Sequence, residues 1–268
     1  MIARVLSIAG SDSGGGAGIE ADIKTISALG GYGCTAITAL TAQNTLGVRD
    51  VHPIPAPFVA LCMRTVLSDI GVDAIKLGML TNEAIIREVA ANLPQDVPVV
   101  LDPVMVSTSG AVLLPDGAID ALISELISKA SVITPNLPET SKITGLPVGT
   151  ETERVAAGRR LLEMGAKAAL VKGGHGEESA LTDLLITPES VIAITLPRLA
   201  SRNTHGTGCT MSSAIATGLA QGMELEAAVR RARAYLQEAI RTAPGIGAGH
   251  GPVNHLAGQE QPAWPAAN

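Results

Sequence analysis

Short apolar segments alternate with amphipathic segments along most of this chain, and this alternation limits the possible folds more than any other feature of the sequence. In the amphipathic segments, apolar residues recur at helical spacing, as at Ile19, Ile23 and Ile26. Repeated strand–helix alternation predicts an α/β protein with a mostly parallel sheet that is covered by helices on both faces. The predicted strands are 5–9, 34–40, 74–77, 97–101, 131–134 and 168–171, and the predicted helices include 57–70, 82–92, 116–129 and 151–165.

The period of the apolar pattern changes beyond residue 177. Two apolar runs, 180–186 and 191–196, flank a Pro-Glu-Ser turn and predict a hairpin, which would make one edge of the sheet antiparallel. Two long helices are predicted after the hairpin. No linker-like segment, charge run or repeat divides the sequence, so we expect one domain over residues 1–258. Residues 259–268 are polar, contain proline and are expected to form a loose tail.

The composition bears on the possible partners of the protein. The chain has one Phe, one Trp and two Tyr among 268 residues, and its formal net charge is −6. Single-stranded nucleic acid is bound on aromatic stacking platforms, and phosphate backbones are bound by positive charge. No apolar run approaches the ~18 residues of a membrane span, and the first run is too short for a signal peptide. The three cysteines are odd in number and far apart. We therefore expect a reduced, cytoplasmic protein that binds neither nucleic acid nor membrane.

Polar residues or glycines follow six of the predicted strands. In open α/β sheets, ligands bind outside the carboxyl ends of the strands, so these residues would meet at one rim. Loops after strands are commonly polar, but six such ends with Asp, Gln, Asn and Lys among them favour a binding site. The segments are 10–12, 43–44, 78–79, 102–103, 135–136 and 172–174. The glycine cluster 14–18 lacks the dinucleotide-binding register, and no Gly-Lys dipeptide is present for a Walker A loop.

The segment Asn-Thr-His-Gly-Thr-Gly-Cys-Thr at 203–210 is the strongest candidate for a catalytic motif, because it opens an apolar helix. Glycines at a helix start expose backbone N–H groups, and the helix dipole adds partial positive charge there. A phosphoryl group in transfer needs such a site for its oxygens. Cys209 lies in the first turn, where we expect a lowered pKa and a favoured thiolate. The alternative is an ordinary helix cap with Cys209 as a small core residue.

Three further candidates carry charge or polarity after predicted strands. Asn136 and Glu139 would point the same way in a helix and could hold a hydrated Mg²⁺, which takes few carboxylates. For this pair alone, a helix N-terminus with acidic residues that complement the dipole is the favoured alternative. Asp102 is either a site carboxylate or a turn cap. Lys172, followed by Gly173, Gly174 and His175, is either a phosphate clamp or part of a basic turn.

Taken together, these residues resemble the hydroxymethylpyrimidine/phosphomethylpyrimidine kinase family of the ribokinase-like superfamily. The resemblance covers about residues 2–256. It rests on the segments 9–22, 38–45, 76–80, 101–105, 203–209 and 249–255 and on the surroundings of Asn136 and Lys172. It implies a three-layer α/β/α sandwich with a mostly parallel sheet and an antiparallel edge hairpin. It also implies a homodimer that uses ATP and Mg²⁺ to phosphorylate 4-amino-5-hydroxymethyl-2-methylpyrimidine and then its monophosphate.

The resemblance also implies roles for residues of the substrate pocket. Gln43 would hydrogen-bond the edge of the pyrimidine, and its amide suits a ring with an exocyclic amine because it both donates and accepts. The other pocket residues implied are Gly10, Ala17, Asp22, Met79 and Val104. Glu20 stands where family members commonly have Gln, and Gly14 where they often have Ser. We expect Glu20 to lie on a solvated helix face.

The remaining implied roles concern phosphoryl transfer. Gly206, Thr207 and Gly208 would form the anion hole, and Cys209 would take the place of the Asp base of most ribokinase-like enzymes. The residues implied on the side of ATP and Mg²⁺ are Asn136, Lys172 and Thr207 for the nucleotide, with Glu139 and Asp102 near the metal.

Three other functions remain open on the sequence. The first is pyridoxal kinase, which has the same fold. The second is a non-catalytic sensor that binds the pyrimidine, although the complete segment 206–209 argues against decay of the site. The third, a nicotinamide-dependent oxidoreductase, lacks the glycine fingerprint.

Overall fold

One sheet of nine strands runs through the described part of the protein, which comprises residues 1–107, 109–174 and 180–259 of this computed structural model. The strands are β1 (Arg4–Asp12), β2 (Tyr32–Asn44), β3 (Gly47–Pro53), β4 (Ala74–Leu77), β5 (Val99–Leu101), β6 (Val132–Ile133), β7 (Ala169–Val171), β8 (Ala180–Ile186) and β9 (Val191–Pro197). Their order across the sheet is β3-β2-β1-β4-β5-β6-β7-β8-β9. The order places β2 and β8 near opposite ends of the sheet.

The strand pairing confirms a mostly parallel sheet. Six neighbouring strands pair in parallel, namely β2, β1, β4, β5, β6 and β7. The hairpin β8–β9 makes the antiparallel edge that the sequence predicts. The opposite edge is also antiparallel, because β2 extends to Asn44 and turns back into β3. Strand β3 was not predicted, since its segment carries Arg49, Asp50 and His52 and has no apolar run. Charges and a proline are typical of an edge strand.

Helices cover both faces of the sheet and complete the three layers. Helices α1, α7 and α8 pack on one face, and α2 to α6 pack on the other. The helices are α1 (Gly18–Ala28), α2 (Ala56–Asp69), α3 (Glu83–Asn92), α4 (Asp116–Glu125), α5 (Leu137–Thr144), α6 (Glu151–Glu163), α7 (Thr207–Ala220) and α8 (Leu225–Arg241). The helix predicted at 116–129 ends at Glu125 and is followed by a short 3₁₀ turn at Ile127–Lys129.

Two large apolar cores lie on the two faces of the sheet, beside a third, smaller cluster around Val171 and Leu184, and successive strand residues contribute to the two large cores in alternation. In β1, Leu6 and Ile8 point into one core and Val5 into the other, and all three are fully buried. This alternation follows from the period of two along a strand. Full burial of a Leu, Ile or Val side chain contributes about 1.5–3 kcal/mol relative to its exposure. Aliphatic residues therefore build the core of this protein in place of aromatic ones.

Two helix starts determine the geometry of the rim. Helix α5 begins in a capping box, in which Asn136 Oδ1 accepts from the Glu139 N–H and Glu139 Oε2 accepts from the Asn136 N–H, both at 2.9 Å. Helix α7 begins at Gly206, whose φ of 80° lies in the left-handed region. A Cβ at Gly206 would overlap the carbonyl oxygen of Gly16, so only glycine allows this close approach.

Two sequence predictions concern residues outside the described ranges. His175 lies outside them, and so does the predicted tail 259–268 except for Gln259. The single domain over 1–258 stays a prediction. Within the described residues, no helix is long and apolar enough to cross a membrane.

Candidate active site

A cavity of about 710 Å³ lies at the carboxyl ends of the parallel strands, where the sequence places the site. It extends from Gln43 of β2 to Leu181 of β8, and the N-terminus of α7 lines it between them. Thirteen of the fourteen predicted site residues line this cavity. They are Gly10, Ala17, Gln43, Met79, Asp102, Val104, Asn136, Glu139, Lys172, Gly206, Thr207, Gly208 and Cys209.

Asp22 is the predicted residue that does not line the cavity. Its carboxylate is fully buried beside the Lys76 ammonium, with 2.8 Å between Oδ2 and Nζ. The Ser7 hydroxyl donates to Oδ2 at 2.6 Å, and the Ser213 hydroxyl donates to Oδ1 at 2.7 Å. Both carboxylate oxygens are therefore engaged inside the protein, and the expected place of Asp22 in the pocket wall is corrected. The carboxylate instead joins α1, β4 and α7 beneath the cavity.

Asp12 organises the glycine-rich loop after β1. Its Oδ1 accepts from the Gly14 N–H at 2.8 Å, and its Oδ2 accepts from the Gly16 and Ala17 N–H groups at 3.0 and 2.8 Å. Burial acts to raise the pKa of Asp12, but the hydrogen bonds from His205, Gly14 and Ala17 lower it to about 2. The carboxylate is therefore ionised at neutral pH. Asp12 has no role in the sequence-based predictions, and the signal that could have indicated one is an Asp two residues before the glycines 14–16.

His205 connects this loop to Gln43 at the β2 end of the cavity. Its Nε2 lies 2.8 Å from Asp12 Oδ2 and 3.1 Å from Gln43 Nε2. An ionised carboxylate can only accept, so the hydrogen on His205 Nε2 points to Asp12. That nitrogen then has no lone pair for the Gln43 amide. A carboxamide turned with its oxygen towards the ring avoids a contact between two donors, since amide orientation is assigned from the hydrogen-bond network, and the single Nε2 hydrogen stays directed at Asp12. Sequence reasoning gave His205 no role.

Glu20 contributes to the same loop and is not solvated as expected. Its Oε1 accepts from the Ser11 hydroxyl and its Oε2 from the Asp12 N–H, both at 2.6 Å. The carboxylate therefore fixes the end of β1 from helix α1. The expectation of a solvated position is wrong, because the turn from β1 into α1 folds this residue back onto the strand end.

An ion pair between Lys172 and Asp102 lies at the centre of the cavity wall. Lys172 Nζ is 3.0 Å from Asp102 Oδ1, and both side chains are mostly buried. The Thr134 hydroxyl donates to Asp102 Oδ1 at 3.3 Å, and the Ser212 hydroxyl to Oδ2 at 3.4 Å. Burial acts to lower the pKa of Lys172, but the charges of Asp102 and Glu139 raise it above its usual value. The ammonium is therefore a permanent positive charge in this wall.

Glu139 combines a structural and an electrostatic role. Burial raises its pKa to about 7, and the charge of Asp102 adds to that rise, while Lys172 and backbone N–H groups oppose it. The capping box shows that Asn136 and Glu139 form a helix N-terminus, which is the alternative that the sequence favoured for this pair. Both residues also line the cavity, so the cap and a contact with a bound metal or nucleotide are compatible.

The N-terminus of α7 faces the Lys172–Asp102 pair. A Cβ at Gly208 would lie 3.4 Å from both Lys172 Nζ and Asp102 Oδ2, which shows how closely the first turn approaches the two charges. No side chain of the described residues caps the helix at Gly206, and the one backbone partner that they offer its first N–H groups is the Thr204 carbonyl oxygen, which accepts from the Thr207 N–H at 3.3 Å. The first N–H groups of a helix have no partner within it and favour an anion. An uncapped helix start beside an ammonium group can therefore receive a phosphoryl group.

Cys209 departs from its predicted electrostatics. Burial raises the pKa of its thiol to about 11, and the charges of Asp22 and Asp102 add to that rise. The charge of Lys76 and the Gly18 N–H act in the opposite direction. The expected lowering by the helix dipole is therefore outweighed, because the first turn of α7 is packed against α1 and the rim carboxylates. The thiol lines the cavity in its protonated form.

The three-layer fold with a cavity at the strand ends places the protein in the structural class of ribokinase-like small-molecule kinases. Among solved structures, the ADP complex of Bacillus subtilis pyridoxal kinase is 33% identical with a TM-score of 0.87, covering 96% of this chain and 98% of that one. Among curated proteins, hydroxymethylpyrimidine/phosphomethylpyrimidine kinase of Rhizobium meliloti is 49% identical over 260 residues, which are 96% of this chain and 98% of the relative. The bifunctional protein ThiED of Geobacter sulfurreducens is 48% identical over 258 residues, and the match covers 96% of this chain but only 53% of that longer relative.

A family model described as phosphomethylpyrimidine kinase matches residues 12–254. The chain therefore belongs to the phosphomethylpyrimidine kinase family.

Proposed function

We propose that this protein transfers a phosphoryl group from ATP to the hydroxymethyl oxygen of 4-amino-5-hydroxymethyl-2-methylpyrimidine. In a second reaction it transfers a phosphoryl group to the resulting monophosphate and yields the diphosphate used in thiamin biosynthesis. The observation that carries the proposal is one cavity with Gln43 at its β2 end and the Lys172–Asp102 pair beside the uncapped start of α7. Family membership supports the same assignment.

The β2 end of the cavity suits a flat polar ring. Gly10 and Met79 face each other so closely that a Cβ at Gly10 would lie 2.9 Å from Met79 Sδ. Gln43 presents an amide, which can donate and accept along the edge of an aminopyrimidine. Ala17 and Val104 close the pocket with small side chains. We assign substrate recognition to these residues, with Asp22 acting beneath them.

The middle of the cavity suits phosphoryl transfer. The charge of the transition state spreads over the three equatorial phosphoryl oxygens, so catalysis depends on positive charge and N–H donors held in place. Lys172 supplies the charge, and Gly206, Thr207 and Gly208 supply the donors. We assign to Cys209 the contact with the attacking hydroxyl and the acceptance of its proton. That role needs the thiolate, so the reaction rate would follow the small thiolate fraction.

The described residues fit Mg²⁺ as a cofactor. Mg²⁺ is commonly held by one or two carboxylates together with phosphate oxygens and waters. Asp102 and Glu139 are two buried carboxylates on the cavity wall around Lys172. Among the described residues, no group of three or more His, Cys, Asp and Glu could hold a metal by itself, which agrees with a metal that arrives with the nucleotide. When bound, Mg²⁺ would supply positive charge to the phosphates, with Asn136 and Thr207 near the nucleotide.

Three wider assignments belong to the same proposal. The chain acts as one domain over 1–258, because the cavity is lined by elements from β1 to α8. It forms a homodimer, for which the exposed Leu40, Leu46 and Phe58 around the β2–β3 edge offer an apolar surface. Sedimentation measurements test this assembly. It works in the cytoplasm, which agrees with its three free cysteines.

The experiment that tests the function measures ADP release with the pyrimidine, its monophosphate and pyridoxal as separate acceptors. We expect turnover of the first two and formation of the diphosphate, which phosphorus NMR identifies directly. The similarity to pyridoxal kinase makes pyridoxal phosphorylation the second candidate. Strong turnover of pyridoxal with none of the monophosphate would favour that candidate. Tight pyrimidine binding without any ADP release would instead indicate a sensor.

A further inference from the structure

A second buried ion pair lies at the β8 end of the cavity, apart from the charges described above. Arg233 of α8 is 4% exposed and Asp183 of β8 is 5% exposed. Arg233 Nε lies 3.1 Å from Asp183 Oδ2 in an ion pair in which Nε makes no hydrogen bond to the described residues, and both residues line the cavity. Burial of two charges costs free energy that their attraction does not always recover. We therefore expect the buried Arg233–Asp183 pair to have a functional role.

Asp183 holds the backbone next to Lys172. Its Oδ1 accepts from the Gly173 N–H at 2.8 Å. The Gly173 backbone lies so close to β8 that a Cβ there would overlap the carbonyl oxygen of Thr182. On the other side, the Lys172 N–H donates to the Pro135 carbonyl oxygen at 2.9 Å. The two peptide units around Lys172 are thus held from both neighbouring strands.

The position of this backbone determines where the Lys172 ammonium lies. The side chain leaves the sheet between these two hydrogen bonds and reaches Asp102 Oδ1 at 3.0 Å. Regular pairing of β7 with β8 ends at Val171, whereas Lys172 still forms a parallel bridge with Asn136 on the other side. On the β8 side, the hydrogen bond from the Gly173 N–H to Asp183 therefore takes the place of ladder pairing just after Lys172.

We propose that Arg233 and Asp183 are a positioning pair for Lys172. The charge of the Arg233 guanidinium holds the Asp183 carboxylate in place, the carboxylate accepts the Gly173 N–H, and this hydrogen bond holds the backbone that aims Lys172 at the transferring phosphoryl group. Neither residue touches the reacting atoms in this assignment. The proposal rests on the proposed function for its kinetic consequence, whereas its structural part concerns the Gly173 hydrogen bond alone.

The structural part is tested in the protein without ligands. In Arg233→Met, the Asp183 carboxylate loses its counterion and holds Gly173 less firmly. We expect the Gly173 N–H to exchange with solvent hydrogen at least about tenfold faster, followed by NMR after ¹⁵N-glycine labelling. The Gly158 N–H in helix α6 is the internal control and should keep its rate. Equal acceleration at both glycines would indicate general loosening, and an unchanged Gly173 rate would overturn the pair's role.

The kinetic part uses a double-mutant cycle. A misplaced catalytic group costs between about tenfold and a hundredfold in rate, so kcat of Arg233→Met should fall within that range while KM for the pyrimidine stays within twofold. Arg233→Lys keeps the positive charge and should recover most of kcat. It also serves as the test variant if Arg233→Met does not fold. Arg230→Met is the matched control, because Arg230 pairs with Glu226 on the exposed side of the same helix.

In a Lys172→Gln background, Arg233→Met should lower kcat less than twofold further, because its effect passes through Lys172. The same fold-loss in both backgrounds would overturn the proposal and indicate an independent role of Arg233. Wild-type protein that transfers no phosphoryl group would defeat the proposed function, and the exchange of Gly173 would still decide the structural part.

Discussion

Asp12 and His205 meet inside the protein although 193 positions separate them in the chain, with 2.8 Å between Asp12 Oδ2 and His205 Nε2. The contact joins the glycine-rich loop after β1 to the residue that precedes the start of α7. Gln43, which lines the cavity at its β2 end, touches the same histidine. The glycine-rich loop, the Gln43 amide and the start of α7 are therefore connected through two side chains.

Replacement of Asp12 should remove a pH-dependent part of the stability. Its pKa is about 2 in the folded protein and 3.8 in a model peptide, so its contribution is present above pH 3.8 and is lost as the pH falls through 2. The shift corresponds to about 2 kcal/mol. Asp12→Asn should therefore be less stable than wild type at pH 7, and the difference should shrink by that amount by pH 2, measured by urea unfolding. The exposed Asp96→Asn is the control, and an Asp12→Asn difference that does not vary with pH would contradict the shift.

Gln43→Leu should mainly impair substrate binding. It removes hydrogen bonds that are present in the ground state and the transition state alike, so KM for the pyrimidine should rise about tenfold with kcat within threefold. Steady-state kinetics with varied pyrimidine gives both constants. Gln237→Leu is a matched control at the β8 end of the same cavity and should leave KM for the pyrimidine unchanged. An unaltered KM in Gln43→Leu would place the amide outside the substrate contact.

Cys209→Ala should lower kcat about a hundredfold with little change in KM, because the loss of a proton acceptor affects the transition state. The thiol pKa of about 11 means that the thiolate fraction grows with pH throughout the measurable range. Wild-type kcat should therefore rise between pH 8 and pH 10, and Cys209→Ala should lack this rise. Cys62→Ala, at a half-buried position on α2, is the control. Near-normal turnover of Cys209→Ala would leave the thiol a packing role only.

Glu139 should give the enzyme a second pH dependence. Its pKa of about 7 means that the carboxyl is protonated below that pH and carries its charge above it. Only the ionised form holds a cation, so kcat/KM for Mg²⁺–ATP should rise as the pH increases through 7. Glu139→Gln cannot ionise and should show a lower, flat profile in this range. An unchanged inflection in Glu139→Gln would assign that titration to another group.

Lys76→Met should destabilise the protein strongly. The ammonium and the Asp22 carboxylate are both fully buried, and removal of one partner leaves the other charge uncompensated at a cost of about 3–5 kcal/mol. Denaturant unfolding measures the loss. The control is Lys167→Met, since Lys167 is exposed on the surface. A stability close to wild type in Lys76→Met would show that Asp22 finds other compensation.

Local pattern predicts the parts of this fold that depend on apolar periodicity. Strand 74–77 is predicted because buried strands need consecutive apolar residues. The common rim of strand ends is predicted because parallel strands end on the same side of the sheet. Strand β3 does not follow, since an edge strand with Arg49, Asp50 and His52 buries too little to show a pattern.

The electrostatics of the site required the three-dimensional structure. Helix position alone favours the thiolate of Cys209, but burial reverses the direction of the pKa shift. In the same way, the sequence separates Asp22 from Lys76 by 54 positions, and nothing in it reveals that the carboxylate faces a lysine instead of a ligand. The roles of Asp12 and His205 also depend on a contact between distant segments.

The close packing of Gly206 on the Gly16 carbonyl has a consequence for synthesis of the chain on the ribosome. A nascent chain that has emerged only as far as residue 200 already carries Gln43, Asp102 and Lys172. It still lacks the start of α7, which lines the same cavity as these three residues. The cavity can therefore be completed only after the start of α7 has emerged, and a ligand of this cavity can stabilise the newly made protein only from that moment.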